Sequence, residues 1–308
     1  MMSRFMFGLF VFMFCNALII NAQTTAEDYI ELSVNYIEAE NFDSARLMVD
    51  KALELDPEFA NAYYWRGMLL MKEEDLEAAM EDFNKCKELD STSAYSYYGI
   101  GLALFHFEQT QEAILNLEKA VTLNDSLLSL YFNLGVMYRS LEENEKAIQC
   151  FTNAIRIDPE DYTAYYSRGQ LYQYQTKYSL SIFDLTKAID LNPEFLMSYY
   201  MRGVSYVHME RFNKALEDFN SYIAIDQSSD EVYFFRAYSL ASLSQIDESF
   251  SDFDKCLEIN PENISCIFYK AVALAVNEQT EEACGLFQKA LDLGLESAEE
   301  YLQHYCKE

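Results

Sequence analysis

"AYYSRG" at residues 164–169, "SYYMRG" at 198–203 and "NAYYWRG" at 61–67 are variants of one phrase. Looser copies stand at 96–101 (SYYGIG), 130–135 (LYFNLG) and 232–237 (VYFFRA). The second aromatic of each pair, continued to the next copy, falls on Tyr64, Tyr98, Phe132, Tyr166, Tyr200, Phe234 and Phe268, each 34 residues after the last. A fixed period of this size marks a solenoid, in which each unit buries its apolar face on its neighbours. Framed from Ala26, eight units run without insertion: 26–59, 60–93, 94–127, 128–161, 162–195, 196–229, 230–263 and 264–297. Positions within a unit are numbered here as slots 1 to 34.

The punctuation follows the same frame. All four prolines, Pro57, Pro159, Pro193 and Pro261, stand in slot 32. Proline lacks the N–H and clashes with the preceding turn, so it ends one helix before the next begins. Slot 8 is small: Gly67, Gly101, Gly135, Gly169 and Gly203, with Ser33, Ala237 and Ala271 in the other units. Glycine inside a helix costs propensity, so a second helix passing close is expected there. Slot 20 is small from Ala45 to Ala283, and slot 24 is large from Val49 to Phe287. Small against large at fixed offsets predicts two antiparallel helices per unit, A then B. Arginine in slot 7 and aspartate in slot 23 occur in the same four units: Arg66 with Asp82, Arg168 with Asp184, Arg202 with Asp218 and Arg236 with Asp252. Their co-occurrence predicts ion pairs joining helix A to helix B, a packing device rather than catalysis.

The unit resembles the tetratricopeptide repeat. Slot 4 is aromatic from Tyr29 to Tyr233, slots 8 and 20 are small, slot 24 is large, and slot 27 is mostly alanine before the slot 32 proline. The resemblance covers 26–297 and departs at Tyr222, in an alanine slot, and at Ile267, Lys270 and Leu295 in the last unit. It implies an all-α fold: a right-handed superhelical solenoid of eight helix-turn-helix repeats, helix A lining the concave side, with 298–308 as a capping helix. Exported bacterial proteins of this family end in a similar "AC…ALDLG…YLQHYC" pattern. That likeness implies a Cys284–Cys306 disulfide locking the cap, the alternative being two unpaired buried thiols. Cys256 and Cys266 are a weaker second pair, and Cys86 and Cys256 in slot 27 read as small core residues.

The opening "MMSRFMFGLFVFMFCNALIINAQ" has a basic start at Arg4, an apolar run and small Ala22 before Gln23. It reads as a signal peptide over 1–22, cut after Ala22, and so as export to the periplasm or cell envelope. An uncleaved anchor ranks second and a lipoprotein third, since bulky Phe14 precedes Cys15. Beyond Ala22 no segment is apolar enough to span a bilayer. Twenty-two basic against 51 acidic residues give a net charge of −29, which argues against nucleic acid and anionic membranes as partners. There is no phosphate-binding glycine loop, no nucleophile elbow and no zinc-type Cys/His spacing. His106 and His208 share slot 13 three units apart, about 30 Å in a stack of helix layers, too far to share a metal. No catalytic residue, metal or cofactor is expected.

One helical step past slot 4, slot 5 turns about 100° further round. That aims it at the groove beside slots 9, 12 and 13. The predicted binding groove is therefore Tyr64, Tyr98, Phe132, Tyr166, Tyr200, Phe234 and Phe268, joined by Phe105, Gln170 and Tyr174. On this reading the first ring of each pair is core and the second faces a ligand. The competing reading has the second ring packing on the next unit's helix A. The function that follows is a non-enzymatic protein–protein interaction scaffold, binding an extended peptide or helix along an aromatic groove. A cell-wall glycan stacked on the tyrosines is the alternative ligand, weakened by Trp65 being the single tryptophan. An acidic peptide end is a poor ligand, because slot 5 is never basic and slot 9 is never Asn or Lys.

Overall fold

Every A-to-B turn is built alike. Slot 15 sits in the left-handed region in all eight repeats, at Glu40, Glu74, Glu108, Glu142, Thr176, Glu210, Ser244 and Glu278, with φ between 56° and 64°. The N–H of slot 16 then reaches back to the slot 11 carbonyl, as from Asn41 to Tyr36 (2.8 Å), Lys177 to Tyr172 (2.8 Å) and Gln279 to Leu274 (2.9 Å). This is the Schellman closure of a helix end, which satisfies carbonyls that the helix leaves unpaired. Glycine is its usual residue, because other side chains crowd the following carbonyl when φ is positive. Here the turns carry that strain.

The computed structural model describes residues 24–127 and 129–306; the segment 1–22 expected to be a signal peptide lies outside the described residues. Among the described residues the elements are α-helices. They run α1 (Ala26–Glu38), α2 (Phe42–Leu55), α3 (Ala60–Lys72), α4 (Leu76–Leu89), α5 (Ala94–His106), α6 (Thr110–Leu123), α7 (Leu130–Ser140) and α8 (Asn144–Ile157). They continue with α9 (Tyr162–Tyr174), α10 (Tyr178–Leu191), α11 (Leu196–His208), α12 (Phe212–Ile223), α13 (Asp230–Ser242), α14 (Ile246–Ile259), α15 (Ile264–Val276), α16 (Thr280–Asp292) and α17 (Ala298–Tyr305). Odd helices from α1 to α15 are helices A, even ones helices B, and α17 is the cap. Residues up to Cys150 form one compact unit and Phe151 onward a second. No described helix is long and apolar enough to cross a membrane.

The core of each hairpin lies where slot 8 of helix A meets slots 20 and 24 of helix B. All eight slot 20 residues and all eight slot 24 residues have no exposed surface. A methyl added at Gly67 would lie 2.5 Å from the Phe83 ring, and one at Gly203 2.5 Å from the Phe219 ring. The two helices cross too closely for a side chain, which is why glycine is kept despite its propensity cost. Helices B end two residues before the slot 32 prolines, as at Leu55, Leu191 and Ile259.

The cap completes the last hairpin. Ala298 is fully buried, and the Tyr301 ring packs on Phe268 (4.8 Å) and Phe287 (5.4 Å). A disulfide joins Cys284 on α16 to Cys306 just past α17. Cys86, Cys150, Cys256 and Cys266 are buried free thiols.

Candidate functional site

The slot 7 arginines hold repeats together. Arg168 makes two bonds to Asp184, Nε to Oδ2 at 2.7 Å and Nη2 to Oδ1 at 2.8 Å. Arg66 with Asp82, Arg202 with Asp218 and Arg236 with Asp252 repeat this two-point geometry. In the second unit the guanidinium reaches further. Its Nη1 donates to slot 25 of the preceding helix B: Arg168 to Thr152 (3.0 Å), Arg202 to Thr186 (3.0 Å) and Arg236 to Asn220 (2.8 Å). Three helices thus meet on one planar fork, whose fixed donors suit such bridging. The carboxylate raises the pKa of each arginine further, against the opposing effect of desolvation. Burial raises the pKa of Asp218, with Arg202 pulling it back. Where the last repeat has Lys270 in slot 7, its amine still donates to slot 25 of the preceding repeat, Asp254, at 2.7 Å.

The first ring of each pair belongs to this seam. The guanidinium of Arg66 lies over Tyr63 (5.2 Å), Arg168 over Tyr165 (5.9 Å), Arg202 over Tyr199 (5.9 Å) and Arg236 over Tyr233 (5.6 Å). These rings are mostly half-buried, so slot 4 is the margin of the core and not its centre.

The second ring is corrected in turn. Tyr64, Tyr98 and Phe268 are only 4%, 6% and 8% exposed and offer no face to a ligand. Tyr64 packs on Phe83 of its own hairpin and Tyr95 of the next, and Tyr98 accepts a 2.6 Å hydrogen bond from Asn133. Tyr166 meets Phe195 at 4.9 Å, Tyr200 meets Phe235 at 6.0 Å and Phe234 meets Tyr269 at 5.7 Å. Phe132, Tyr166, Tyr200 and Phe234 remain half-buried, as do Phe105 and Gln170. The slot 5 side chain therefore packs largely towards the next helix A, which covers it.

Of the residues singled out as groove lining, Tyr174 in slot 13 is the most open, at 75%. The exposed stripe of helix A runs through slots 2, 6, 9 and 13, spaced i, i+4, i+7 and i+11, which is one helical face. In the second unit these slots carry Tyr174, Met197, Met201, Tyr238, Tyr269 and Val276 among polar residues that include Thr163, Gln170, His208, Glu231 and Ser242. Phe234, Tyr238 and Tyr269 form one ring cluster, with Tyr238 and Tyr269 edge to face at 5.1 Å. Charge on it is sparse. Tyr200 donates to Glu231 at 2.9 Å, and burial, then that carboxylate, raise the tyrosine's pKa. His208 stacks on Tyr178 at 4.7 Å. Gln173 is spent on structure, donating to the Met201 carbonyl and Ser205 hydroxyl of α11. Sequence reading missed Met197, Met201 and Tyr269; the signal was the helical wheel, on which slots 2 and 6 flank slots 9 and 13. Among the described residues no cluster of His, Cys, Asp and Glu is placed to hold a metal ion.

Family models match much of this chain. The tetratricopeptide repeat model matches at 162–195, 198–229 and 230–263, and a TPR repeat model at 135–175. The chain belongs to the tetratricopeptide-repeat family. A third model, anaphase-promoting complex, cyclosome, subunit 3, matches residues 38–120. No curated protein matches the chain. Among solved structures it is similar to pilF of Pseudomonas aeruginosa: 20% identity, 69% of this chain and 97% of that one, TM-score 0.62. YrrB, described as a TPR protein with an unusual peptide-binding site, is 24% identical over 61% of this chain and 97% of its own, TM-score 0.55. The Cut9–Hcn1 assembly of the APC/C is 14% identical over 86% of this chain and 53% of that one, TM-score 0.55. These likenesses show the tetratricopeptide-repeat fold, and proteins of this family are in general non-enzymatic interaction scaffolds. Both the arginine seam and the outer helix-A stripe differ between the two units of this chain. In the first unit the same slots carry Glu27, Glu31, Asn61, Lys72 and His106 among their apolar residues.

Proposed function

We propose that this tetratricopeptide-repeat chain is a non-enzymatic scaffold whose second unit binds an extended peptide or a helix of another protein. The docking face is the slot 2/6/9/13 stripe of α9, α11, α13 and α15. One observation carries the reading: Tyr174, Met197, Tyr269 and Val276 stay 37% to 75% exposed in a layer where other large apolar side chains are packed. Aromatic and methionine side chains give contact area at low entropic cost and adapt to the partner's shape. The peptide-binding site named for YrrB supports the ligand class by analogy. The opening 22 residues support export and a partner in the periplasm or cell envelope.

The test uses the full chain and a Tyr174→Ser, Met197→Ser, Tyr269→Ser variant, both shown by circular dichroism to be folded. Both are immobilised and offered the same envelope extract. A protein retained by the first and lost by the second supports the reading. Identical profiles overturn it. Binding of cell-wall glycan fragments by the first alone, with no protein retained, replaces it with the glycan alternative.

A further inference from the structure

Slot 27 of helix B and slot 3 of the following helix A fall in the same core cluster where successive repeats meet. Ala52 and Ala62 share one core cluster in the first unit, and Tyr222 and Val232 share another in the second. Small or apolar residues fill most of these junctions. At the seventh junction both positions are cysteine: Cys256 on α14 and Cys266 on α15, each with no exposed surface and both in the same cluster as Tyr222 and Val232. The Cys266 thiol points at the carbonyl of Phe253, 3.5 Å away, one turn before Cys256 on α14.

We propose that Cys256 and Cys266 are a thiol pair that closes to a disulfide, joining repeat 7 to repeat 8. The two side chains share one buried cluster, and the Cys266 thiol is hydrogen-bonded with that of Cys256. Hydrogen bonding to the Cys256 thiol, then burial, hold the Cys266 thiol far above its ordinary pKa, so the closed native junction is slow to react. Closure belongs to moments when the junction opens, and to folding. The oxidant is a small disulfide such as oxidised glutathione. One cysteine thiolate attacks it, forming a mixed disulfide and releasing one glutathione thiol. The second cysteine attacks the mixed disulfide, forms the Cys256–Cys266 bond and releases the second. Two protein thiols are oxidised, one glutathione disulfide is reduced to two thiols, and the protons pass to the leaving thiolates.

The consequence is local. The Cys284–Cys306 bond already ties α16 to the cap. A second bond across the seventh junction ties α14 to α15, the helix that carries Tyr269 of the outer stripe, and α15 packs on α16 within its own hairpin.

The test refolds the full chain from denaturant in a glutathione redox buffer, beside a native sample held in the same buffer. Both are quenched in acid, alkylated in denaturant, digested and read by mass spectrometry. The refolded chain is expected to show peptides of Cys256 and Cys266 joined, with Cys86 and Cys150 still alkylated. The native sample is expected to convert at least tenfold more slowly. A Cys256→Ala variant carries the residue most repeats have in slot 27, so it folds. In it Cys266 should end alkylated or glutathionylated and never joined to Cys86 or Cys150. In the oxidised wild-type chain, amide exchange across 256–269 should slow at least tenfold relative to the reduced form. Cys256 and Cys266 both alkylated after refolding, in a chain whose Cys284–Cys306 bond has formed, would overturn the proposal, as would either joined to another cysteine.

Discussion

The two units are built on one frame and differ in their arginine clamps and on one outer face. In both, slots 20 and 24 are fully buried, and slot 15 closes each A-to-B turn with positive φ. In the first unit a single arginine clamp, Arg66–Asp82, serves the hairpins, and its guanidinium side chain is 35% exposed. In the second, three successive clamps bridge to the preceding helix, with arginine side chains 14% to 22% exposed. The outer helix-A stripe diverges in charge, with Glu27, Glu31, Glu38 and Lys72 in the first unit against Glu231 in the second. The lesson is that the slots fixing the hairpin are set by steric contact and vary only within a size class. The outer slots are more open, although some of them also cover slot 5 rings, as Tyr95 covers Tyr64 and Tyr269 packs on Phe234. The unit with the more heavily clamped seam is the one whose outer stripe carries less charge.

Breaking the clamps should separate the units most sharply. Asp184→Ala leaves Arg168 buried without its counter-ion and should cost about 3 kcal/mol or more. Asp82→Ala should cost about 1 kcal/mol, because Arg66 can turn to water. Urea melts of the two variants measure this, and equal losses would remove the distinction drawn between the seams.

Next comes the frame against the surface. Gly203→Ala pushes a methyl to 2.5 Å from the buried Phe219 ring and should destabilise by about 1–3 kcal/mol. Gly285→Ala, inside α16 with nothing within 4 Å, should stabilise by about 0.5–1 kcal/mol. Thermal melts of both check the sign. Glu74→Gly should likewise stabilise, by about 1 kcal/mol, by relieving the φ of 64° at that turn.

A smaller effect reports on the slot 5 rings. Burial pushes the Tyr98 hydroxyl up to about 12, with the bond from Asn133 pulling it back, whereas an unfolded tyrosine titrates near 10. Between these values the unfolded chain releases a proton that the folded chain keeps. Stability present below pH about 10 is therefore lost as pH rises to about 12. Tyr98→Phe should flatten that loss in urea melts across the window. An unchanged slope would mean that Tyr98 is solvated.

The fold was legible because its constraints are local and repeated. Gly67 against Phe83, and Arg168 with Asp184 sixteen residues on, leave a mark in the spacing alone. The face of the second ring was not legible. Tyr64 and Tyr174 both lie on the open side of helix A by angle, but Tyr64 is covered by Tyr95 of the next repeat and Tyr174 is not. That outcome depends on how consecutive repeats lean together, which the spacing does not encode. The positive φ at Glu40 and its seven counterparts was also silent, because glutamate is not a residue that announces a left-handed turn.

The central claim is that the slot 5 rings hold the stack and the outer stripe binds. It is tested most directly by crossing two variants with two readouts. Phe268→Ser removes a slot 5 ring packed on Phe287 and Tyr301; Tyr174→Ser with Met197→Ser and Val276→Ser removes the most open residues of the outer stripe. Each is measured for urea stability and, in buffer where it is folded, for capture of the partner that the full chain retains. The account predicts that Phe268→Ser loses stability and keeps the partner, while the outer variant keeps stability and loses it. Loss of the partner by Phe268→Ser while folded, with the outer variant binding normally, would contradict it.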